Sequence, residues 1–172
     1  MNISDNKYWI WGLIDQNNEN IISAIRREVF REIFSPNFPT HVTLSGPIKL
    51  EYIKIKSILN NFVDNRNNMC VPLQNLGIGW NNSKFRFLYI KVDHDKLINF
   101  KKSIDNLFKK NDANFMPHIS LAYSDDFDID RSKYKYKLEE FVIKDLFIEK
   151  ICIASVNEKE NYWNIVKTFS LS

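Results

Sequence analysis

The 172-residue chain is predicted to fold as an α+β protein built on mostly antiparallel sheet. Three observations predict it. Short runs of β-forming residues alternate with segments of helical periodicity. The order of helices and strands is not the regular alternation of a parallel α/β fold. One unit, a helix followed by a strand that opens on histidine, occurs twice, at His41 and at His118.

The elements follow in order. Residues 7–14, KYWIWGLI, have strand composition and are apolar on both faces, so Trp11 is expected in the core as much as in a site. Residues 18–34 carry Ile21, Ile22, Ile25, Val29, Phe30 and Phe34 at helical spacing. THVTLSGPI, 40–48, reads as a strand ended by Gly46-Pro47. A second helix is expected over about 50–62, then strands near 70–79 and 85–92. Residues 93–110 open acidic and end lysine-rich, as the helix dipole favours. In that helix Lys101, Lys102, Lys109 and Lys110 are expected on a solvated face, and His94 as a solvated residue at its start. MPHISLAYS, 116–124, is the second histidine strand, and residues 146–157 and 162–172 form two closing strands.

If each half supplies one histidine strand, two pseudo-symmetric lobes face each other across a cleft. Each lobe is then a mostly antiparallel sheet with outer helices. No linker or low-complexity segment divides the chain, so residues 1–172 are expected to form one domain, with a monomer as the default.

Composition narrows the function classes. Hydrophobic residues at 44% and aromatics at 14% exclude a disordered chain. A net charge of +3 with mixed signs permits a polyanionic partner without requiring one. No apolar run reaches the length of a membrane span, and residues 1–15 lack a secretory pattern, so a cytoplasmic location without membrane contact is expected. Cys70 and Cys152 lack ligand spacing and read as ordinary thiols.

The chemistry lies in HVTL and HISL. Strand alternation puts His41 and Thr43 on one face with Val42 and Leu44 on the other, and likewise His118 and Ser120 against Ile119 and Leu121. Imidazole exchanges protons near neutral pH, and a hydroxyl two residues on can bond a phosphate oxygen. One such strand is ordinarily structural; two matched copies suit acid–base chemistry on a phosphodiester. Zinc is the rival, with His41 and His118 as two ligands and Asp125, Asp126, Asp128 or a cysteine as a third, but no ligand spacing supports it.

On these motifs the chain resembles the 2H phosphoesterases, which are defined by two H-x-[ST]-hydrophobic motifs. FPTHVTLSGPI and FMPHISLAYSD match both motifs. YWIWGLI is similar to the opening strand of the plant- and yeast-type cyclic nucleotide phosphodiesterases of that family. KICIASVNEKENYWNIVKTFSL is similar to their last hairpin, with a Trp after the turn. Departing from that group, the turn before the last strand is shorter and residues 79–87 lack an aromatic cluster, which bears on substrate choice.

The resemblance implies the LigT-like fold and metal-independent, cofactor-free hydrolysis. The implied substrates are 2′,3′-cyclic phosphates of nucleosides or RNA ends, or ADP-ribose 1″,2″-cyclic phosphate. It implies His41 and His118 as catalytic, with His118 as base and His41 as acid, and Thr43 and Ser120 as phosphate donors. Trp11 and Tyr123 become candidates for lining the substrate. Tyr123 has the opposite strand parity to His118, so it reaches the site only if the strand bends after Ala122.

RSKYKYK, 131–137, suits nucleic-acid contact, whereas SDDFDID, 124–130, repels a long polyanion and favours a small cyclic nucleotide or short oligonucleotide. Two alternatives stand beside this. One is the same chemistry on 2′–5′ oligoadenylate or cyclic di- and trinucleotides, as in 2H proteins of viruses and phages. The other is a non-catalytic module that holds RNA ends.

Overall fold

The computed structural model describes residues 7–29, 38–64, 71–81, 86–111, 115–124, 146–157 and 162–171. Sequence expectations that fall on Phe30, Phe34, Cys70 and residues 125–137 lie outside the described residues. The described elements are β1 (Lys7–Ile14), α1 (Gln16–Val29), β2 (His41–Ile48), α2 (Tyr52–Asp64), β3 (Val71–Asn81), β4 (Arg86–Asp93), α3 (Asp95–Leu107), β5 (His118–Ser124), β6 (Leu146–Asn157) and β7 (Tyr162–Ser170).

The strands run in the order β1-β2-β5-β4-β3-β6-β7, and β1 also pairs with β6, so the sheet curls back on itself through β6. Every pairing is antiparallel. About the β2–β5 seam the order reads β6-β1-β2 on one side and β5-β4-β3 on the other. This is the pseudo-symmetry expected from the repeated helix-and-histidine-strand unit, with both lobes built into one continuous sheet.

One face of the sheet carries the main core. Ile10, Val42, Leu44, Ile90, Ile119, Leu121, Ile148, Ile151 and Ile153 pack there against Ile22 and Ile25 of α1, Ile55 and Leu59 of α2, and Leu97, Phe100 and Ile104 of α3. The other face of β1 and β6 carries a second cluster, with Trp11, Cys152, Ala154 and Val156 buried and Trp9, Leu13, Trp163 and Ile165 packed on it. β1 is thus covered on both faces, as its doubly apolar sequence implies.

Local rules set the helix starts. The Asp15 carboxylate accepts from Asn18 N (3.0 Å) at the head of α1. His94 is the N-cap of α3, its Nδ1 accepting from Lys96 N at 3.0 Å, rather than a merely solvated residue. Lys101 departs from expectation too. It is buried at 4% exposure, paired with Asp105 one turn on, because its position on α3 turns inward beside Phe100 and Ile104. The strand expected over 40–48 is β2, which ends one residue after Gly46-Pro47, with Ile48 opposite Tyr8. Gly46 adopts φ +152°, and a Cβ there would strike the ring of Trp9, so only glycine fits.

Candidate active site

Both histidine strands carry the same irregularity. In the β1–β2 ladder Trp11 pairs with Thr43 and Ile10 with Ser45, which leaves Leu44 as an extra residue. In the β4–β5 ladder Tyr89 pairs with Ser120 and Leu88 with Ala122, which leaves Leu121 extra. Each is a β-bulge at the leucine of its motif, and each leucine is fully buried.

The bulge reverses the alternation beyond it, so Tyr123 returns to the face of His118 and Ser120. That is the bend on which its place in the site depended. Its hydroxyl donates to Ser120 Oγ at 3.1 Å. Burial pushes the phenol up from its ordinary value, so it stays protonated as a donor and leaves the Ser120 proton free for another acceptor.

Val42 and Ile119 are Cα partners across the β2–β5 seam. One step to either side places His41 across from Ser120 and Thr43 across from His118. Each imidazole therefore stands beside the hydroxyl residue of the other motif. The two rings are held alike. His41 Nδ1 lies 2.7 Å from Pro39 O, and His118 Nδ1 lies 2.8 Å from Met116 O. A carbonyl only accepts, so in both rings Nδ1 carries the hydrogen and Nε2 keeps the lone pair. The residue two before each histidine thus fixes the tautomer.

Aromatic side chains enclose the pair. Trp11 stacks flat on His41, centroids 3.8 Å apart at 10°. Phe38 meets His41 edge-on at 5.4 Å and Tyr123 at 5.7 Å. Trp163 lies 5.9 Å from Phe38 and runs nearly parallel to Tyr123 at 6.4 Å. Tyr89, the pseudo-symmetric counterpart of Trp11, approaches His118 edge-on at 5.3 Å. Trp11 is accordingly both a core residue, 3% exposed, and the floor under His41. Phe38 opens the first matched segment, FPTHVTLSGPI, without a role read for it there, and Arg26 lies outside both segments. Trp163 is visible only as the Trp after the last turn.

Burial lowers the His41 pKa to about 3, with the Arg26 and His118 charges acting in the same direction and the Pro39 carbonyl opposing. Burial lowers His118 as well, against the Met116 carbonyl. Both rings are neutral at pH 7 in the free site. This has a stability consequence. Below pH 6.5 the unfolded chain binds a proton at His41 that the folded chain refuses until about pH 3. Stability should therefore fall as pH drops through that window, by about 1.4 kcal/mol per pH unit from this ring. Urea midpoints at pH 7 and pH 5 measure it: the difference should shrink in His41→Asn, and an unchanged difference contradicts the burial of this ring.

Cys152, beneath Trp11, has its thiol pushed up to about 12 by burial and is not poised as a nucleophile. Among the described residues no three His, Cys, Asp or Glu side chains converge as a metal-binding group, and the aspartates named as zinc candidates lie outside them. No described helix is long and apolar enough to cross a membrane.

No protein-family model matches the sequence, and no curated protein matches it. Solved structures do. Ligand-free E. coli LigT is similar with a TM-score of 0.66 at 13% identity, over 96% of each chain. E. coli LigT complexed with 3′-AMP gives 0.61 at 15% identity, over 97% of this chain and 98% of that one. A protein of Thermus thermophilus gives 0.60 at 13% identity, over 96% and 97%. The chain therefore has the LigT-like α+β fold, the fold its paired histidine motifs imply.

Proposed function

We propose that the sheet face carrying His41, Thr43, His118 and Ser120 is a metal-independent phosphodiesterase site. It hydrolyses 2′,3′-cyclic phosphates of nucleosides or RNA ends, or ADP-ribose 1″,2″-cyclic phosphate, to 2′-phosphate-type products. One observation carries the reading: two imidazoles held in matched tautomers by Nδ1 bonds to the carbonyls of Pro39 and Met116, each opposed across one seam by the other motif's hydroxyl residue. The E. coli LigT structures support a phosphate-bearing ligand in this fold, since that protein has been solved with 3′-AMP, phosphate, ATP and NADP+.

In this mechanism Thr43 and Ser120 donate to the non-bridging oxygens. Water attacks phosphorus in line and gives its proton to His118 Nε2. As the bond from phosphorus to the departing ribose oxygen breaks, His41 Nε2–H protonates that oxygen. His41 is neutral in the free site, so its proton is taken up with the anionic phosphate, whose charge offsets the desolvation that otherwise disfavours imidazolium. No cofactor takes part.

The test incubates the protein with 2′,3′-cyclic mononucleotides, 2′–5′ oligoadenylate and cyclic dinucleotides in EDTA and resolves products by chromatography. Turnover of the cyclic mononucleotides to 2′-phosphates supports the reading, and selective turnover of the oligonucleotides moves the same chemistry to signalling substrates. Tight RNA binding without turnover supports the binding module, and abrupt loss of rate in EDTA supports zinc.

A further inference from the structure

The two histidine strands meet along a short seam, its register the single Cα pair Val42↔Ile119. One guanidinium spans it. Arg26 of α1 donates from Nη1 to Phe38 O at 2.9 Å and from Nη2 to Ser120 O at 2.6 Å. It also lies over the Phe38 ring, 4.8 Å from the centroid. The first carbonyl precedes His41 by three residues and the second follows His118 by two. Burial lowers the Arg26 pKa from its ordinary value, with Glu19 and Tyr123 acting in the opposite direction.

The other lobe repeats the device in altered form. Lys101 Nζ lies 4.8 Å from the centroid of Phe115, the residue three before His118. Lys101 pairs with Asp105, which accepts from Ser45 Oγ of β2 at 2.7 Å. In each lobe a helix cation packs on the phenylalanine ahead of its own histidine and is tied, directly or through Asp105, to the strand of the opposite motif.

We propose that Arg26 is a positioning residue that, by bonding the backbones of both motifs at once, sets the separation and tilt of the His41 and His118 rings. This rests on the two-histidine reading above and assigns that site a further residue. An acid and a base must address opposite sides of one phosphorus, where a displacement of about 1 Å costs on the order of 10²-fold in rate. The planar fork of arginine reaches two carbonyls together, whereas the single ammonium of lysine reaches one well.

The experiment compares Arg26→Met and Arg26→Lys in the full chain by steady-state kinetics and by imidazole NMR titration. Arg26→Met should lower kcat by about 10–100-fold with KM within about threefold, and Arg26→Lys should recover part of the loss. Both imidazole signals should move in Arg26→Met, with His41 titrating at higher pH once the cation is gone. A kcat within twofold of wild type, or a change confined to KM, overturns the proposal. If Arg26→Met fails to fold, Arg26→Lys decides: a wild-type melting temperature with reduced kcat supports the role, and unchanged kcat overturns it. If the wild-type protein turns over no phosphodiester, the two-histidine reading fails by itself. The NMR comparison then decides the clamp, and an unmoved His118 signal overturns it.

Discussion

Replacing His41 or His118 by alanine is expected to lower kcat by about 10²–10⁴-fold each, the range for loss of a general acid or base. Both rings belong to one machine, so the double variant should be little worse than the single ones. Near-wild-type turnover in either single variant removes the acid–base assignment. The two roles separate with a phosphodiester whose leaving group is nitrophenolate, which departs without a proton. It should rescue His41→Ala far more than His118→Ala, and equal rescue contradicts the proposed order. The pH profile follows from the same electrostatics. The free pair is neutral at pH 7 because burial depresses both rings, while turnover needs one proton on the pair. kcat/KM should therefore rise as pH falls from 8 to 6. A rate that rises with pH over this interval contradicts the proton count.

Trp11→Ala is expected to cost about 3–5 kcal/mol of stability, the range for deleting a buried large aromatic side chain. Denaturant unfolding measures that part, and a loss below 1 kcal/mol would show that the site collapses to fill the space. The second effect is electrostatic. The indole lies flat on His41 at 3.8 Å, and its removal admits water to one face of the imidazole. Desolvation is the largest cause of the His41 depression, so its titration should move from about 3 toward the ordinary 6.5. An unmoved titration in a folded variant would mean that Phe38 and the surrounding strands, not Trp11, keep the ring dry. Activity should fall as well, since the imidazole loses the stacked ring on one face and is positioned only by the Pro39 carbonyl and the edge contact with Phe38.

The shared face of the proposed site is legible because strand alternation holds through the first residues of each motif. Val42 and Ile119 point to the core, which leaves His41, Thr43, His118 and Ser120 together on the opposite face. Tyr123 marks where that rule needs a tertiary fact. Its parity is wrong until Leu121 is recognised as a bulge, and a leucine in a strand carries no local sign of being one. Arg26 was hidden for a different reason. In a helix whose pattern is read through Ile22 and Ile25, an arginine looks like part of the polar face, and only the approach of β5 turns it into a bridge. Lys101 was misread in the same way, because its counter-ion and Phe115 supply the environment that composition assigns to water.

The pseudo-symmetry fails at one informative place. Aligned on their bulged leucines, the two motifs put Tyr123 in one lobe where Gly46 stands in the other, with the Trp9 ring filling the room a side chain would need. A perfectly twofold site would accept a phosphodiester equally well in either direction. With a phenol bonded to Ser120 on one side and the Trp9 ring over Gly46 at the matching point, the two halves of the site present different groups. The site therefore has polarity: together with Trp11 flat on one imidazole and Tyr89 edge-on to the other, this difference gives the proposed substrate two unlike ends to meet.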